Sequence, residues 1–170
     1  MPPAFSPIRG AQGLQMSNPS VLSVASLLGS LQVFKEAGMV GSLRARSIEL
    51  TGLLEGLLAQ SAYFISSHEA AKKLPLCNGS THGTEHHRPA FTIITPSDVN
   101  SRGSQLSLLF FSFDSELMHK VFEGLCSYGV IGDKRHPNTI RLTPIALYST
   151  MQDCEDAANF LEEVLKALDT

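Results

Sequence analysis

The sequence predicts an α/β domain whose mainly antiparallel sheet is covered by helices. Three observations carry that expectation. Short apolar runs bounded by turn residues, Phe91 to Thr95 and Gln105 to Phe113, read as strands. Apolar residues recur at helical spacing in the first third of the chain and again from Asp153 to Leu168. The resulting order is helix, helix, strand, strand, helix, strand, strand, helix. No internal repeat is visible.

Each element has its own sequence signal. Residues 1–19 carry Pro2, Pro3, Pro7, Gly10, Gly13 and Pro19 and read as an extended arm. Ser20 can cap a helix with Val21, Val24, Leu27, Leu28 and Leu31 on one face. Gly38 and Gly41 weaken the next stretch, and the pattern resumes through Leu43, Ile48, Leu50, Leu53, Leu54, Leu57 and Leu58. Residues 20–60 thus form a helical linker, and 61–170 the α/β domain. Within that domain, residues 66–90 are polar and read as a surface loop or insertion. Phe91 to Thr95 is a strand stopped by Pro96, and the next strand carries Leu106, Leu108, Phe110 and Phe113. Asp114 or Ser115 starts a helix through Leu117, Val121, Phe122 and Leu125, with Gly129 just past its end. Val130-Ile131 reads as a short strand and Asp133 to Asn138 as a charged turn, because Pro137 lacks an N–H. Thr139 to Pro144 resumes the extended pattern. Ala157, Phe160, Leu161, Val164 and Leu165 make the last segment an amphipathic helix.

Composition narrows the class. The chain has 170 residues, 43% of them hydrophobic, enough for a real core. A net charge of −3 gives no electrostatic footprint for nucleic acid. No run approaches the roughly 18 apolar residues of a membrane span, and the first residues lack a signal-peptide pattern. Cys77, Cys126 and Cys154 are widely spaced and form no C-x-x-C pair, which points to free thiols in a reducing compartment, the cytoplasm. The glycosylation triplet Asn78-Gly79-Ser80 carries no meaning there.

Arg141 is the foremost candidate site residue. It stands mid-strand between Ile140 and Leu142, where a cation must reach solvent or an anion, since an unpaired buried charge costs several kcal/mol. A planar guanidinium is the preferred two-pronged partner of a carboxylate. The alternative is a structural salt bridge to an acid on a neighbouring helix. Ser17-Asn18-Pro19 is by itself an ordinary turn or helix start. His82, His86 and His87 share a Gly-rich loop without fixed geometry, so no metal is expected. Cys126 sits on the apolar side of its helix and reads as core. No nucleophile elbow, P-loop or dinucleotide fingerprint appears.

The tract from Gly129 to Tyr148 contains Gly129, Val130, Asp133, Lys134, Arg135, Pro137, Ile140, Arg141, Pro144, Leu147 and Tyr148 at the spacing G-V-x-x-D-K-R-x-P-x-x-I-R-x-x-P-x-x-L-Y. It resembles the C-terminal end of the kynureninase family. Gln15-Met16-Ser17-Asn18-Pro19 and Thr92-Ile93-Ile94-Thr95-Pro96, running on to Arg102-Gly103-Ser104-Gln105-Leu106, resemble the same family in the same order. The resemblance covers nearly the whole chain. It implies the C-terminal small domain of a fold-type I enzyme that uses pyridoxal 5'-phosphate, preceded by a long helix from a large domain. It implies hydrolysis of L-kynurenine or 3-hydroxykynurenine to L-alanine and anthranilate or 3-hydroxyanthranilate, in tryptophan catabolism towards NAD, by a homodimer.

Residue roles follow from the same resemblance. It implies that Arg141 binds the substrate α-carboxylate, that Asn18 contacts the cofactor, and that Ser17 lies on the substrate side. Asp133, Lys134 and Arg135 take a structural part near the mouth of the site. The family's cofactor-linked lysine lies upstream of the Ser-Asn-Pro motif. None of Lys35, Lys72, Lys73, Lys120, Lys134 and Lys166 stands in a matching context, and the chain has no Trp where the family places one near the cofactor. The chain therefore reads as the part without the catalytic half, with no catalytic residue of its own and no activity alone. It can be a truncated product, one half of a split enzyme, or a non-catalytic dimerising module. Apart from the resemblance, a free-standing amino-acid-binding module also fits the residues.

Overall fold

The computed structural model describes residues 6–77, 88–111 and 116–169. The chain divides into two compact units, Met1–Ser42 and Leu43–Thr170.

In the first unit a 3-10 turn, Ala11–Leu14, precedes helix α1, Val21–Glu36. The Ser20 side chain accepts from the Ser23 amide, the cap its position predicts. Gly38, at φ 87°, sits in the left-handed region that only glycine enters without strain, and it separates α1 from α2, Met39–Leu58. No residue of α1 is buried. Leu22 and Leu28 are 83% and 69% exposed.

The second unit is built on a four-stranded antiparallel sheet in the order β1-β2-β4-β3. Its strands are β1 (Ala90–Ile93), β2 (Leu106–Phe111), β3 (Asp133–Arg135) and β4 (Thr139–Leu142). The helices of this unit are the later part of α2, then α3 (Ser67–Cys77), α4 (Leu117–Ser127) and α5 (Met151–Leu168). Period-2 alternation sets the two faces of the sheet. Phe91 stands opposite Phe110, Leu108 opposite Ile140 and Leu106 opposite Leu142, so these side chains share one face. That face joins Leu50, Leu54 and Leu58 of α2, Met118, Val121 and Leu125 of α4, and Leu161 and Leu165 of α5 in one core. Each such side chain contributes about 1.5–3 kcal/mol by leaving water.

Helix ends follow local chemistry. The Tyr128-Gly129-Val130 turn closes α4 as a Schellman motif. Gly129 has φ 81°, its amide donates to Cys126, and Val130 donates to Leu125. Thr150 and Asp153 form a reciprocal capping box at the start of α5.

Three local expectations are corrected. Part of the stretch read as a loop, 66–90, is the helix α3. Ser66 and Glu69 cap it, each side chain accepting from the other's amide, at 3.1 and 3.3 Å. Residues 78–87, with the three loop histidines, lie outside the described residues, as do Phe113 and the predicted helix start at Asp114 or Ser115. The strand placed at Val130-Ile131 falls instead on Asp133–Arg135, and the turn narrows to 136–138. The physical reason is position: β3 is an edge strand, where charged side chains reach solvent and block further pairing. Lys134, on the core-side face, keeps its ammonium 4.9 Å from the Phe122 ring. Cys126 is half-buried rather than core, whereas Cys154 is buried and its thiol is pushed up by that burial.

Candidate functional site

On the sheet face opposite the core, Arg141 of β4 stands between Ser107 of β2 and Asp133 of β3, its direct partners in the two registers. The Arg141 Nη2 donates to Asp133 Oδ2. Arg135 Nη2 lies 3.0 Å from the same carboxylate oxygen. The hydrogen bond from Arg141 holds the Asp133 carboxyl below its usual range, and the nearby Arg135 charge adds to the effect. The Arg141 side chain is 29% exposed. Its Nε is buried, with no hydrogen-bond partner among the described residues. A buried donor without an acceptor is costly, so this guanidinium is only partly satisfied.

Helix α2 anchors the loops that flank this row. The Arg102 side chain, 3% exposed, grips Glu55 at 2.7 and 2.5 Å and also donates to the Pro96 carbonyl at 3.2 Å. The ion pair raises the Arg102 pKa further. Thr51 donates to the Ser104 carbonyl at 3.3 Å, and Arg44 donates to the Val99 carbonyl. The β1–β2 loop is thereby fixed along α2. Thr95 Oγ1 then accepts from the Ser107 amide at 2.9 Å, and Gln105 meets the Ser107 hydroxyl at 3.5 Å. Arg46 holds the loop before α5 by the Ala146 and Ser149 carbonyls, at 3.1 and 2.9 Å.

A cleft of about 450 Å³ opens beside this loop, lined by Tyr128, Ile131, Leu142, Pro144, Tyr148 and Phe160 among others. Arg141 does not line it, since Leu142 turns to the other face.

The sequence-predicted residues fall in both units. Ser17 and Asn18 are exposed in the first unit, and Arg141 belongs to the second. The alternative reading of Arg141 pairs it with an acid on a neighbouring helix; the acid it pairs with, Asp133, stands on the adjacent strand. The Arg102–Glu55 pair escaped sequence reading altogether. Among the described residues no group of three His, Cys, Asp or Glu side chains could hold a metal. His119 and His136 approach with ring centroids 5.7 Å apart. No helix among the described residues is long and apolar enough to cross a membrane.

An antiparallel four-stranded sheet backed by helices and preceded by a long helix is consistent with the small C-terminal domain of a fold-type I enzyme. Residues 70–161 match the kynureninase C-terminal domain, and the chain belongs to the kynureninase family. It is 44% identical over 165 residues to the kynureninase of Yarrowia lipolytica, covering 96% of this chain and 35% of that protein. It is 39% identical over 168 residues to the kynureninase of Saccharomyces cerevisiae, with 96% and 34% covered. Kynureninase 2 of Neurospora crassa is 40% identical over 150 residues, with 88% and 26% covered. The chain thus spans about a quarter to a third of the length of these relatives.

Proposed function

We propose that this chain is the substrate-carboxylate-binding, C-terminal part of a pyridoxal-phosphate kynureninase. The assembled enzyme cleaves the β–γ carbon bond of L-kynurenine or 3-hydroxykynurenine by hydrolysis, giving L-alanine and anthranilate or 3-hydroxyanthranilate. It works as a homodimer in the cytoplasm, in tryptophan catabolism towards NAD. The observation that carries the reading is the guanidinium of Arg141, fixed on a strand, held by Asp133 through Nη2 and still 29% exposed as a side chain. Clamping the substrate carboxylate there sets which bond at Cα faces the reacting system, and orientation of that kind lowers a barrier. The family resemblance makes Asn18 a cofactor contact and Ser17 a substrate-side neighbour.

The residues described do not supply a cofactor site of their own. A lysine that binds such a group needs a desolvated pocket. Lys35, Lys72, Lys120, Lys134 and Lys166 are all exposed. On this reading the cofactor's attachment belongs to the part of the family chain that this one does not span, and the part played by Arg141 is to bind and orient the substrate.

The test is reconstitution. The chain is combined with the upstream two-thirds of the Yarrowia lipolytica enzyme, pyridoxal phosphate and L-kynurenine, and anthranilate fluorescence is followed. Turnover is expected only with both parts present. Arg141→Ala is expected to lower kcat/KM by about a hundredfold or more, the scale of losing one partner of a desolvated charge pair. An Arg141→Ala chain as active as the original would overturn the assignment. Assembly without any anthranilate would favour a non-catalytic module.

A further inference from the structure

We propose that Asp133 is a positioning residue for Arg141, and that Arg135 is the counter-charge that keeps Asp133 from cancelling the site. The inference rests on the reading of Arg141 as a carboxylate-binding group.

The register makes the arrangement possible. Asp133 is the direct cross-strand partner of Arg141 on the same sheet face, and Arg135 projects from that face two residues on. Gly132 admits the close approach, since a Cβ there would meet the Arg141 carbonyl oxygen at 3.1 Å. An arginine side chain has large rotamer freedom, and a ligand that must freeze it binds more weakly. Holding Nη2 in advance removes that loss. A guanidinium carries five N–H donors, and Asp133 occupies one end of the group while Nε stays without a partner among the described residues.

A lone carboxylate beside Arg141 would also neutralise it and compete with an incoming anion. Here the Asp133 oxygen is shared with Arg135 at 3.0 Å. Two cations and one anion leave a net charge of +1 on the triad. Arg141 is thus both immobilised and still attractive to a carboxylate.

Positioning and plain electrostatics predict opposite signs. Asp133→Asn removes a negative charge, so a field argument alone makes the site bind anions more tightly. Positioning makes it bind them more weakly. Arg135→Gln lowers the field while leaving Arg141 held.

The test uses the full 170-residue chain in ¹⁵N NMR, reading the Nε–H resonance of Arg141 and its heteronuclear NOE, with L-alanine as the carboxylate probe. In the unaltered chain the Nε–H is expected to be rigid. Asp133→Asn should make it mobile and weaken L-alanine binding by about tenfold, the scale of one charge-assisted hydrogen bond. Arg135→Gln should leave it rigid and weaken binding severalfold. Asp133→Glu, which keeps the charge, should restore part of the order. The remaining amide spectrum reports whether each variant is folded.

A rigid Arg141 Nε–H in folded Asp133→Asn, or tighter L-alanine binding by that variant, overturns the inference. If the unaltered chain ignores L-alanine while Asp133→Asn still frees the Nε–H, the carboxylate-binding reading fails and the positioning contact stands.

Discussion

At the scale of single residues, the charged side chains that matter are those held at both ends. Arg102 is the clearest case, because its guanidinium is almost wholly buried against a carboxylate that water still reaches. Arg102→Ala leaves the β1–β2 loop without its main anchor. The variant is expected to lose about 2–3 kcal/mol of stability, the range for charge-assisted hydrogen bonds, read as a lower denaturation midpoint. Asp153 belongs to the same scale. Hydrogen bonding by Thr150, from its amide first and its hydroxyl second, holds the Asp153 carboxyl below the usual range. A carboxylate with a lowered folded pKa contributes stability that is complete above its unfolded value of about 3.9 and is lost as pH falls through the folded value. The thermal midpoint should be flat above about pH 5 and drop below about pH 4, and Asp153→Asn should flatten part of that acid limb.

At the scale of elements, α4 and α5 meet where Gly124 faces Val164. A Cβ at Gly124 would stand 2.7 Å from one valine methyl and 2.8 Å from the other. Gly124→Ala gains up to about 1 kcal/mol of helix propensity but overpacks the contact by about 1–3 kcal/mol. The net expectation is a modest loss, and a double-mutant cycle with Val164→Ala should show coupling between the two sites. The elements are legible in the sequence wherever a period runs long enough. Apolar spacing marks α1, α2, α4 and α5, and short apolar runs mark β1, β2 and β4. Helix α3 escapes because its apolar pattern is thin, although Ser66 and Glu69 spell its cap. Strand β3 escapes because an edge strand reads as a turn when its residues are charged. Arg141 stands out by contrast with its aliphatic neighbours. Its partner Asp133 does not, because the pairing follows from the hairpin register. Arg102 and Glu55, 47 residues apart, leave no local trace at all.

At the scale of the whole molecule, the first unit is the unusual part. The apolar residues of a helix are expected to be buried against a neighbour, yet Val21, Leu22, Leu27 and Leu28 of α1 are each more than half exposed. Apolar surface of that extent drives association. The isolated chain is expected to run larger than a monomer by size exclusion with light scattering, and Leu22→Lys with Leu28→Lys should shift it towards the monomer. A monodisperse monomer without those changes would count against that expectation. Helix α2 carries a different consequence. Its residues 44, 46, 51 and 55 hold two separate loops through side chains spaced along one rod. A helix turns about 100° with each residue, so one residue added or lost between Arg46 and Glu55 would turn Arg44 and Glu55, which hold the same β1–β2 loop, out of register with each other. The loops of this domain can change length, but α2 acts as its gauge, and the count of residues along it is part of the fold.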